Sequence, residues 1–185
     1  YYQIIKNMKT INKKINQVLI LLSLLTVGLI NAQTITAKSS KTTVNGTSPM
    51  HDWVMNSSTA TFVGTVSGNA ITNAKFIIAA KTLKSEKGSM MDNKAYKALK
   101  SDAQPNITFT AASLPVGKTN VNGKLTIAGV TKAVTFPVNV VKNGNSYTIT
   151  GSESLKMSDY GMETPGFLGV HTGDVVTVTV NIVAN

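Results

Sequence analysis

The sequence of 185 residues contains neither cysteine nor arginine. Without cysteine the chain has no disulfide, no thiolate nucleophile, no cysteine-ligated zinc and no cysteine-linked lipid. All 18 basic residues are lysines, so the forked guanidinium that makes bidentate contacts with phosphate and guanine is missing too. We therefore expect no nucleic-acid partner.

Residues that commonly carry catalysis are also scarce. The two histidines, His51 and His171, belong to no HExxH motif or comparable group of metal ligands. The sequence has no glycine-x-serine-x-glycine nucleophile elbow, and its eight acidic residues are scattered. His51 and Asp52 are adjacent, but neighbours in a strand point to opposite faces. The sequence thus favours a protein that is not an enzyme, with no catalytic residue, no metal site and no cofactor.

Residues 1–32 have the pattern of an export signal. Met8 is a plausible start, three lysines follow within residues 9–14, and the apolar run of residues 18–30 is followed by the small residue Ala32. This run is shorter than the roughly 18 residues that a membrane-spanning helix needs. We predict a signal peptide here, and the seven residues before Met8 have no explanation in this pattern.

Residues 33–185 would then form a single exported domain, periplasmic or secreted. The segment is long enough for one domain with a sizeable core. It carries 14 of the 18 lysines and all eight acids, so its net charge is 14 minus 8, or +6. We interpret this charge as a solvated basic surface. No apolar run in this segment is long enough to cross a membrane, so we expect no membrane span after removal of the signal.

After the signal, apolar and polar residues alternate with a period of two, which is typical of half-buried β-strands. The clearest case is "VVTVTVNIV" at residues 175–183, where every second residue is aliphatic. Seven further segments alternate in the same way, at residues 41–47, 59–66, 73–80, 106–114, 124–129, 133–141 and 146–151. The pattern predicts an all-β antiparallel protein, either a sandwich or a closed barrel.

One stretch breaks the alternation and predicts a single short α-helix. Residues 91–100 contain strong helix formers, with Asp92 as a candidate N-cap and Ala95 and Leu99 at helical spacing. Pro105 follows shortly afterwards.

The only tryptophan, Trp53, lies two residues after His51. Residues i and i+2 of a strand share a face, so we expect the indole and the imidazole to point the same way. Two interpretations remain open for Trp53. It is either an ordinary core residue or the apolar wall of a ligand site.

Four segments carry a resemblance to a known family. In chain order they are "GTSPMHDW" (46–53), "LKSDAQPNITF" (99–109), "VNGKLTIAGVTKAVTFPV" (121–138) and "LKMSDYGMETPGFLG" (155–169). Their order and spacing resemble the YceI-like family over residues 41–183, and the third segment, with a glycine before two alternating strands, is the most specific. The "HDW" form is similar to a branch common among exported proteins of Bacteroidetes.

The resemblance implies a lipocalin-like antiparallel barrel of about eight strands with one short α-helix. Relatives hold a polyisoprenoid or another long-chain amphiphile in the barrel. The residues that would line the lumen here are the inward members of the matching strands: Trp53, Phe62, Phe76, Ile78, Ile107, Phe109, Leu125, Ile127, Val134, Phe136 and Tyr147. Phe167 would close one mouth, and a head group would meet His51 or Lys132. A homodimer is compatible with the resemblance.

Energetics favour a long guest. A buried methylene contributes roughly 0.8 kcal/mol, whereas association costs about 4–15 kcal/mol. A guest with ~5 apolar carbons would hardly bind, and one with ~15 or more would bind with little help from polar groups. We therefore expect binding, transport or storage of a long-chain lipid such as a polyisoprenoid, an isoprenoid quinone or a fatty amide.

Two alternatives remain open. The barrel or sandwich could be filled by its own side chains and act as a structural, protein-binding or polysaccharide-binding module of the cell envelope. An internal cavity below about 300 Å³ would favour this alternative.

An enzyme acting on the same lipids is the other alternative. The missing nucleophile and metal ligands argue against it, and turnover assays of the wild type and His51→Ala would test it.

Overall fold

The computed structural model describes residues 32–185, so the predicted signal peptide lies outside the described residues except for Ala32. The strands in this part are β1 (Gln33–Gly46), β2 (Trp53–Ser57), β3 (Thr61–Ser67), β4 (Ala70–Ala79), β5 (Lys84–Ser85), β6 (Asn106–Pro115), β7 (Gly117–Ile127), β8 (Val130–Asn143), β9 (Ser146–Lys156), β10 (Gly166–Phe167), β11 (Val170–His171) and β12 (Val175–Ala184). The α-helix α1 (Ser89–Ala98) lies between β5 and β6, and 3-10 turns occur at Ala80–Thr82 and Ser158–Tyr160.

Eight of these strands form a closed barrel. Their order is β1, β3, β4, β6, β7, β8, β9 and β12, and β12 pairs with β1 to complete the ring. Every pairing is antiparallel. The prediction of an all-β, lipocalin-like antiparallel barrel of about eight strands, with a single α-helix in the described residues, is confirmed.

The long strand β1 changes its partner along its length. Its first residues, 33–36, pair with β3, and its last residues, 42–46, pair with β2. β2 in turn carries the two-residue strand β5 on its outer edge. This arrangement extends the wall beyond β3 and places Trp53 opposite Gly46, where β1 ends.

One end of the barrel carries the helix, and we call it the helix end. There β4, β7 and β9 end, β6, β8 and β12 begin, and α1 joins the end of β4 to the start of β6. The other end carries the tight connections between β3 and β4 and between β8 and β9. Inward residues alternate with outward ones along the strands, and the buried core includes Ile35, Ile71 and Val140.

The helix begins earlier than the sequence suggests, and the prediction of Asp92 as its N-cap is wrong. The N-cap is Gly88, and Asp92 lies inside the first turn. Its carboxylate does not bond within the helix but accepts the backbone N–H of Ser85 at 2.7 Å and pairs with Lys84 at 3.3 Å. Hydrogen bonds to Tyr96 and then to Asp92 raise the pKa of Lys84 above its ordinary value. Asp92 therefore fastens the helix to β5.

The expectation that His51 and Trp53 share a strand face is also wrong. β2 begins only at Trp53, and His51 lies exposed in the preceding loop. There its backbone N–H donates to the Ser48 hydroxyl at 3.2 Å, and that hydroxyl donates to the His51 carbonyl at 2.6 Å. The alternation of side-chain directions holds only within a strand, so it does not predict where the imidazole in this loop points.

Candidate functional site

The barrel encloses a cavity of about 220 Å³. All eight barrel strands, β2 and the helix contribute to its wall, which is almost entirely aliphatic and aromatic. This composition follows from the alternation of the strands, because the inward positions of a small barrel converge on its axis. The helix closes the space at the helix end through Ala95 and Ala98.

Nine of the residues predicted to line the lumen form part of this wall. They are Trp53, Phe62, Phe76, Ile78, Ile107, Phe109, Leu125, Ile127 and Phe136. Their contact with a ligand stays a prediction.

Two other predicted lining residues, Val134 and Tyr147, are not part of the cavity wall. Tyr147 is buried, with 3% of its surface exposed, but it lies near the other end of the barrel, in register with Ala184 and beneath the Lys142 ammonium, 5.7 Å from its ring centroid. Val134 lies on a part of β8 that is not paired with β9. Alternation predicts which face a residue is on, but not its height along the barrel.

The three residues predicted at the mouths of the barrel are placed differently. The side chain of Phe167 lies outside the described residues, although its backbone pairs with Val170. His51 is exposed and does not line the cavity. Lys132 also lies outside the wall, and its ammonium pairs with Asp159 at 3.2 Å. The roles of His51 and Lys132 toward a head group stay predictions.

Phenylalanines from neighbouring strands form a row across the cavity wall. Phe62 of β3 is in register with Phe76 of β4, and Phe76 is in register with Phe109 of β6. The ring of Phe109 then meets Phe136, with 5.5 Å between centroids and a tilt of 37°. This is a favourable geometry for aromatic pairs. The row therefore gives the cavity a stiff aromatic side.

Gly123 allows the last of these contacts. A Cβ on this residue would overlap the ring of Phe109 and would lie only 2.6 Å from the Thr110 carbonyl oxygen. The ring of Phe109 therefore passes over the bare backbone of β7 to reach Phe136. This is a physical reason for a glycine at the start of the segment "GKLTIAGVTK".

The barrel wall has a gap between β8 and β9. Their pairing runs from Asn143 and Ser146 to Val138 and Gly151 and then stops. Both strands continue toward the helix end, β8 still paired with β7 and β9 still paired with β12. The two strands therefore diverge, and we call the space between residues 130–137 and 152–156 the gap.

The cavity opens into this gap. β9 contributes the consecutive residues 149–153 to the cavity wall, whereas the other described strands contribute no two neighbouring residues. Beyond Gly151 the edge of β9 has no partner on β8, so this unpaired edge, as well as the inward side chains, forms the wall of the cavity. An outer groove of about 610 Å³ shares Val138 and residues 150–152 with the cavity wall. The interior and the outer surface thus meet beside Gly151.

Residues 157–162, which we call the strap, cross the gap at the helix end. Met157 and Tyr160 are buried and line the cavity. Burial, and to a lesser degree the charge of Asp159, raises the pKa of the Tyr160 hydroxyl above its ordinary value. The pair between Lys132 and Asp159 joins the strap to β8, but both side chains are about half exposed, so it contributes little stability.

The carboxylate of Asp174 is hydrogen-bonded to the start of the strap. Protonation of this carboxylate should therefore loosen the strap. The hydroxyl and then the backbone N–H of Ser158 donate to Asp174 and lower the pKa of its carboxyl below 3.8. A lowered carboxyl pKa contributes stability that is present above the unfolded value and lost as the pH falls through the folded one. We expect hydrogen exchange in the strap, measured relative to the intrinsic exchange rate at each pH, to accelerate as the pH falls below about 3.8. Asp174→Asn should accelerate it already at neutral pH, while Asp52→Asn, an exposed acid on another loop, should not.

Trp53 lies against the backbone of β1. A Cβ on Gly46 would overlap its indole, and the indole N–H donates to the Thr47 carbonyl at 3.3 Å. The ring is half-buried and lines the cavity near the helix end. Since Trp53 is the only tryptophan, its fluorescence reports on this part of the wall.

Thr42 is a wall residue that the sequence did not indicate. It is fully buried in β1, lines the cavity, and its hydroxyl has no hydrogen-bond partner in the described structure. Threonines occur on both faces of these strands, so its residue type carries no signal. Gly151 is the better sequence signal for this part of the wall. A glycine inside a strand often marks a place where another group comes close to the backbone.

Charged groups are rare in the cavity. Among the residues that the structure describes, only Glu153 and Lys156 bring charged side chains to the wall.

Within residues 32–185 there is no group of three or more metal-ligating side chains. No helix in the same part of the chain is long and apolar enough to cross a membrane.

These features define a class of protein, namely a hollow antiparallel barrel of eight strands, wide enough to hold one small ligand. The chain belongs to the YceI-like family, because the YceI-like domain model matches residues 32–184. No curated protein matches the sequence significantly.

Solved structures share the fold at low sequence identity. Burkholderia cenocepacia BcnA is 22% identical with a TM-score of 0.65, and the match covers 79% of this chain and 96% of that one. A polyisoprenoid binding domain from Saccharophagus degradans, implicated in plant cell wall breakdown, is 13% identical with a TM-score of 0.66, covering 82% and 97%. A Campylobacter jejuni YCEI protein is 20% identical with a TM-score of 0.50, covering 61% and 71%.

Proposed function

We propose that this protein binds the apolar chain of a long-chain amphiphile in its barrel and catalyses no reaction on it. The observation that carries the proposal is an apolar cavity that opens sideways through a gap in the barrel wall. The described relative from Saccharophagus degradans is a polyisoprenoid binding domain, which supports a polyisoprenoid, an isoprenoid quinone or a fatty amide as the class of guest.

The volume of the cavity decides how such a guest is bound. At about 30 Å³ for a group the size of water, the cavity of 220 Å³ holds about seven methylene-sized groups. Seven methylenes contribute ~6 kcal/mol, close to the lower limit of the ~4–15 kcal/mol that association costs. The enclosed space alone therefore gives weak binding.

The gap supplies the additional contact area. A chain that leaves the cavity between β8 and β9 lies along the edge of β9, against Leu155 and the strap. Each further methylene buried there adds roughly 0.8 kcal/mol. A guest with ~15 carbons would thus occupy both the cavity and the gap.

The arrangement of titratable groups supports binding without catalysis. Neither His51 nor His171 lines the cavity. The Glu153 carboxylate accepts the backbone N–H of the next residue at 3.0 Å, and the hydroxyls of Thr150 and Ser152 in the wall bond to a backbone carbonyl and to Thr179, not to a carboxylate or an imidazole. Turnover assays of the wild type and His51→Ala remain the direct test of the enzyme alternative.

A carrier or storage role in the periplasm or outside the cell fits the rest of the chain. The signal-like pattern of residues 1–32 supports export, and the +6 charge of the remaining chain suits an anionic envelope surface. Whether two copies associate is a separate prediction, which size-exclusion chromatography with light scattering would check.

The cavity volume favours one other candidate. About 220 Å³ is below the roughly 300–1,000 Å³ of typical ligand sites, as expected for a barrel filled by its own side chains. Such a protein would act as a structural or binding module of the envelope. The two candidates differ in their response to chain length.

A chain-length series of fatty alcohols tests the proposal, with Trp53 emission as the readout. Each added methylene should tighten binding about fourfold, and this trend should continue well past the seven or so groups that the cavity encloses. Ala74→Leu, which fills the cavity wall on β4, should weaken binding at every length. Ala79→Leu, an exposed position on the same strand, should not.

The possible results separate the candidates. No binding at any length would contradict the proposed function and favour the filled barrel. Binding that stops improving at about eight carbons would show that the gap takes no part.

A further inference from the structure

Thr42 is an unusual polar residue in an apolar wall. It is 0% exposed, lies on the inward face of β1, and lines the cavity. Its hydroxyl oxygen has no hydrogen-bond partner in the described structure. A buried hydroxyl without a partner has lost its bonds to water and gained none in return.

The neighbours of Thr42 show that this is a local exception. Ser40, two residues earlier on the same face of β1, is 8% exposed, and its hydroxyl donates to the Ala60 carbonyl at 3.1 Å. Ser57, in register with Thr42 on β2, shares a hydrogen bond with Thr82 at 2.8 Å. The fold thus satisfies the buried hydroxyls beside Thr42 but leaves the hydroxyl of Thr42, a residue of the cavity wall, without a partner in the described structure.

The position of Thr42 relates it to the gap. Thr42 is in register with Val180 of β12, and Val180 is in register with Gly151 of β9. Gly151 is in turn the last residue of β9 that pairs with β8, so this row of residues lies at the base of the gap. Neighbouring strands are ~4.8 Å apart, which places Thr42 roughly 10 Å around the wall from Gly151.

We propose that Thr42 is a recognition residue for an oxygen in the buried part of the guest. The hydroxyl would donate a hydrogen bond to a carbonyl oxygen about 10 Å from the base of the gap. This inference rests on the proposed function and narrows the class of guest. It selects amphiphiles with a carbonyl in the buried region, such as a quinone, an ester or an amide, over plain hydrocarbons and prenols with only a distant head group.

The test compares two guests of equal chain length, a methyl ketone and a 1-alkene, in the wild type and in Thr42→Val. The wild type should prefer the ketone, and Thr42→Val should lose about tenfold in ketone affinity, the effect of one buried hydrogen bond, while its alkene affinity stays the same or improves. The ligand-free Thr42→Val protein should also melt at a higher temperature than the wild type, because valine removes an unpartnered buried hydroxyl at nearly constant volume.

Ser40→Ala is the matched control, since its hydroxyl is buried on the same face but already bonded. It should lower the melting temperature and leave the ratio of ketone to alkene affinity unchanged. Thr42→Ser keeps a hydroxyl at the critical position and should retain the ketone preference. It also provides the comparison if valine disturbs the barrel.

The outcomes separate this inference from the proposed function. A wild type that binds neither guest would overturn both. If the wild type binds both guests and Thr42→Val leaves the ratio of ketone to alkene affinity unchanged, the inference about Thr42 is wrong, whatever the melting temperature does, and the apolar binding function stands.

Discussion

Phe76→Ala is expected to lower the free energy of unfolding by about 3–5 kcal/mol, the usual range for removing a buried phenylalanine side chain. Phe76 is only 9% exposed and stands between Phe62 and Phe109 in the aromatic row. Its loss removes the ring from the centre of the row and leaves both neighbours without their cross-strand partner. Urea unfolding followed by circular dichroism would measure the change.

Lys75→Ala, the outward neighbour of Phe76 on β4, is the control for this prediction. It should change the free energy of unfolding by no more than about 0.5 kcal/mol. The enlarged cavity of Phe76→Ala should bind a long-chain alcohol, and the bound guest should recover part of the lost stability. A loss of less than about 1 kcal/mol would mean that the barrel collapses around the missing ring and that the row does not support the cavity.

Gly123→Ala is expected to destabilise the barrel by about 1–3 kcal/mol through overpacking. The new methyl group would overlap the Phe109 ring and would lie 2.6 Å from the Thr110 carbonyl oxygen. The ring can rotate away, but the carbonyl belongs to the backbone of β6, so the sheet itself must move. Thermal unfolding would measure the loss, and near-ultraviolet circular dichroism would show the displacement of the aromatic pair.

Two further variants sharpen the prediction for Gly123. Gly151→Ala is a milder case, because its nearest neighbour would be the Pro137 carbonyl oxygen at 3.2 Å, and it should cost less. Adding Phe109→Leu to Gly123→Ala should relieve only the part of the strain due to the ring. Full recovery in the double variant would show that the backbone contact with Thr110 is unimportant.

The strand faces could be predicted from the sequence because a period of two directly encodes the two sides of a sheet. Phe62, Phe76 and Phe109 are inward in the structure for this reason. The all-β class follows from the same pattern, and the closed barrel follows from the resemblance to the YceI-like family. The alternation and the family resemblance lead to the same fold because residues of the family motifs are needed for packing. Gly123, for example, leaves room for the ring of Phe109.

The height of a residue along the barrel could not be predicted, because it depends on the register between strands that are distant in sequence. Tyr147 points inward as predicted, but it lies too far toward the other end of the barrel to line the cavity. The divergence of β8 and β9 is likewise a property of two backbones and leaves no periodic signal. The prediction that His51 shares a strand face with Trp53 was wrong because the start of the strand could not be located from the sequence. β2 begins two residues after His51.

The closing contact of the ring joins β1 to β12, which are the first and last strands of the described chain. Such a nonlocal pairing has a high contact order and forms slowly. Whenever the chain is delivered from its amino end, β1 can pair with β2 and β3 early but lacks its partner on the other side until β12 has been delivered. Closure of the ring is therefore a late step of folding, which has to follow the delivery of β12 (Val175–Ala184).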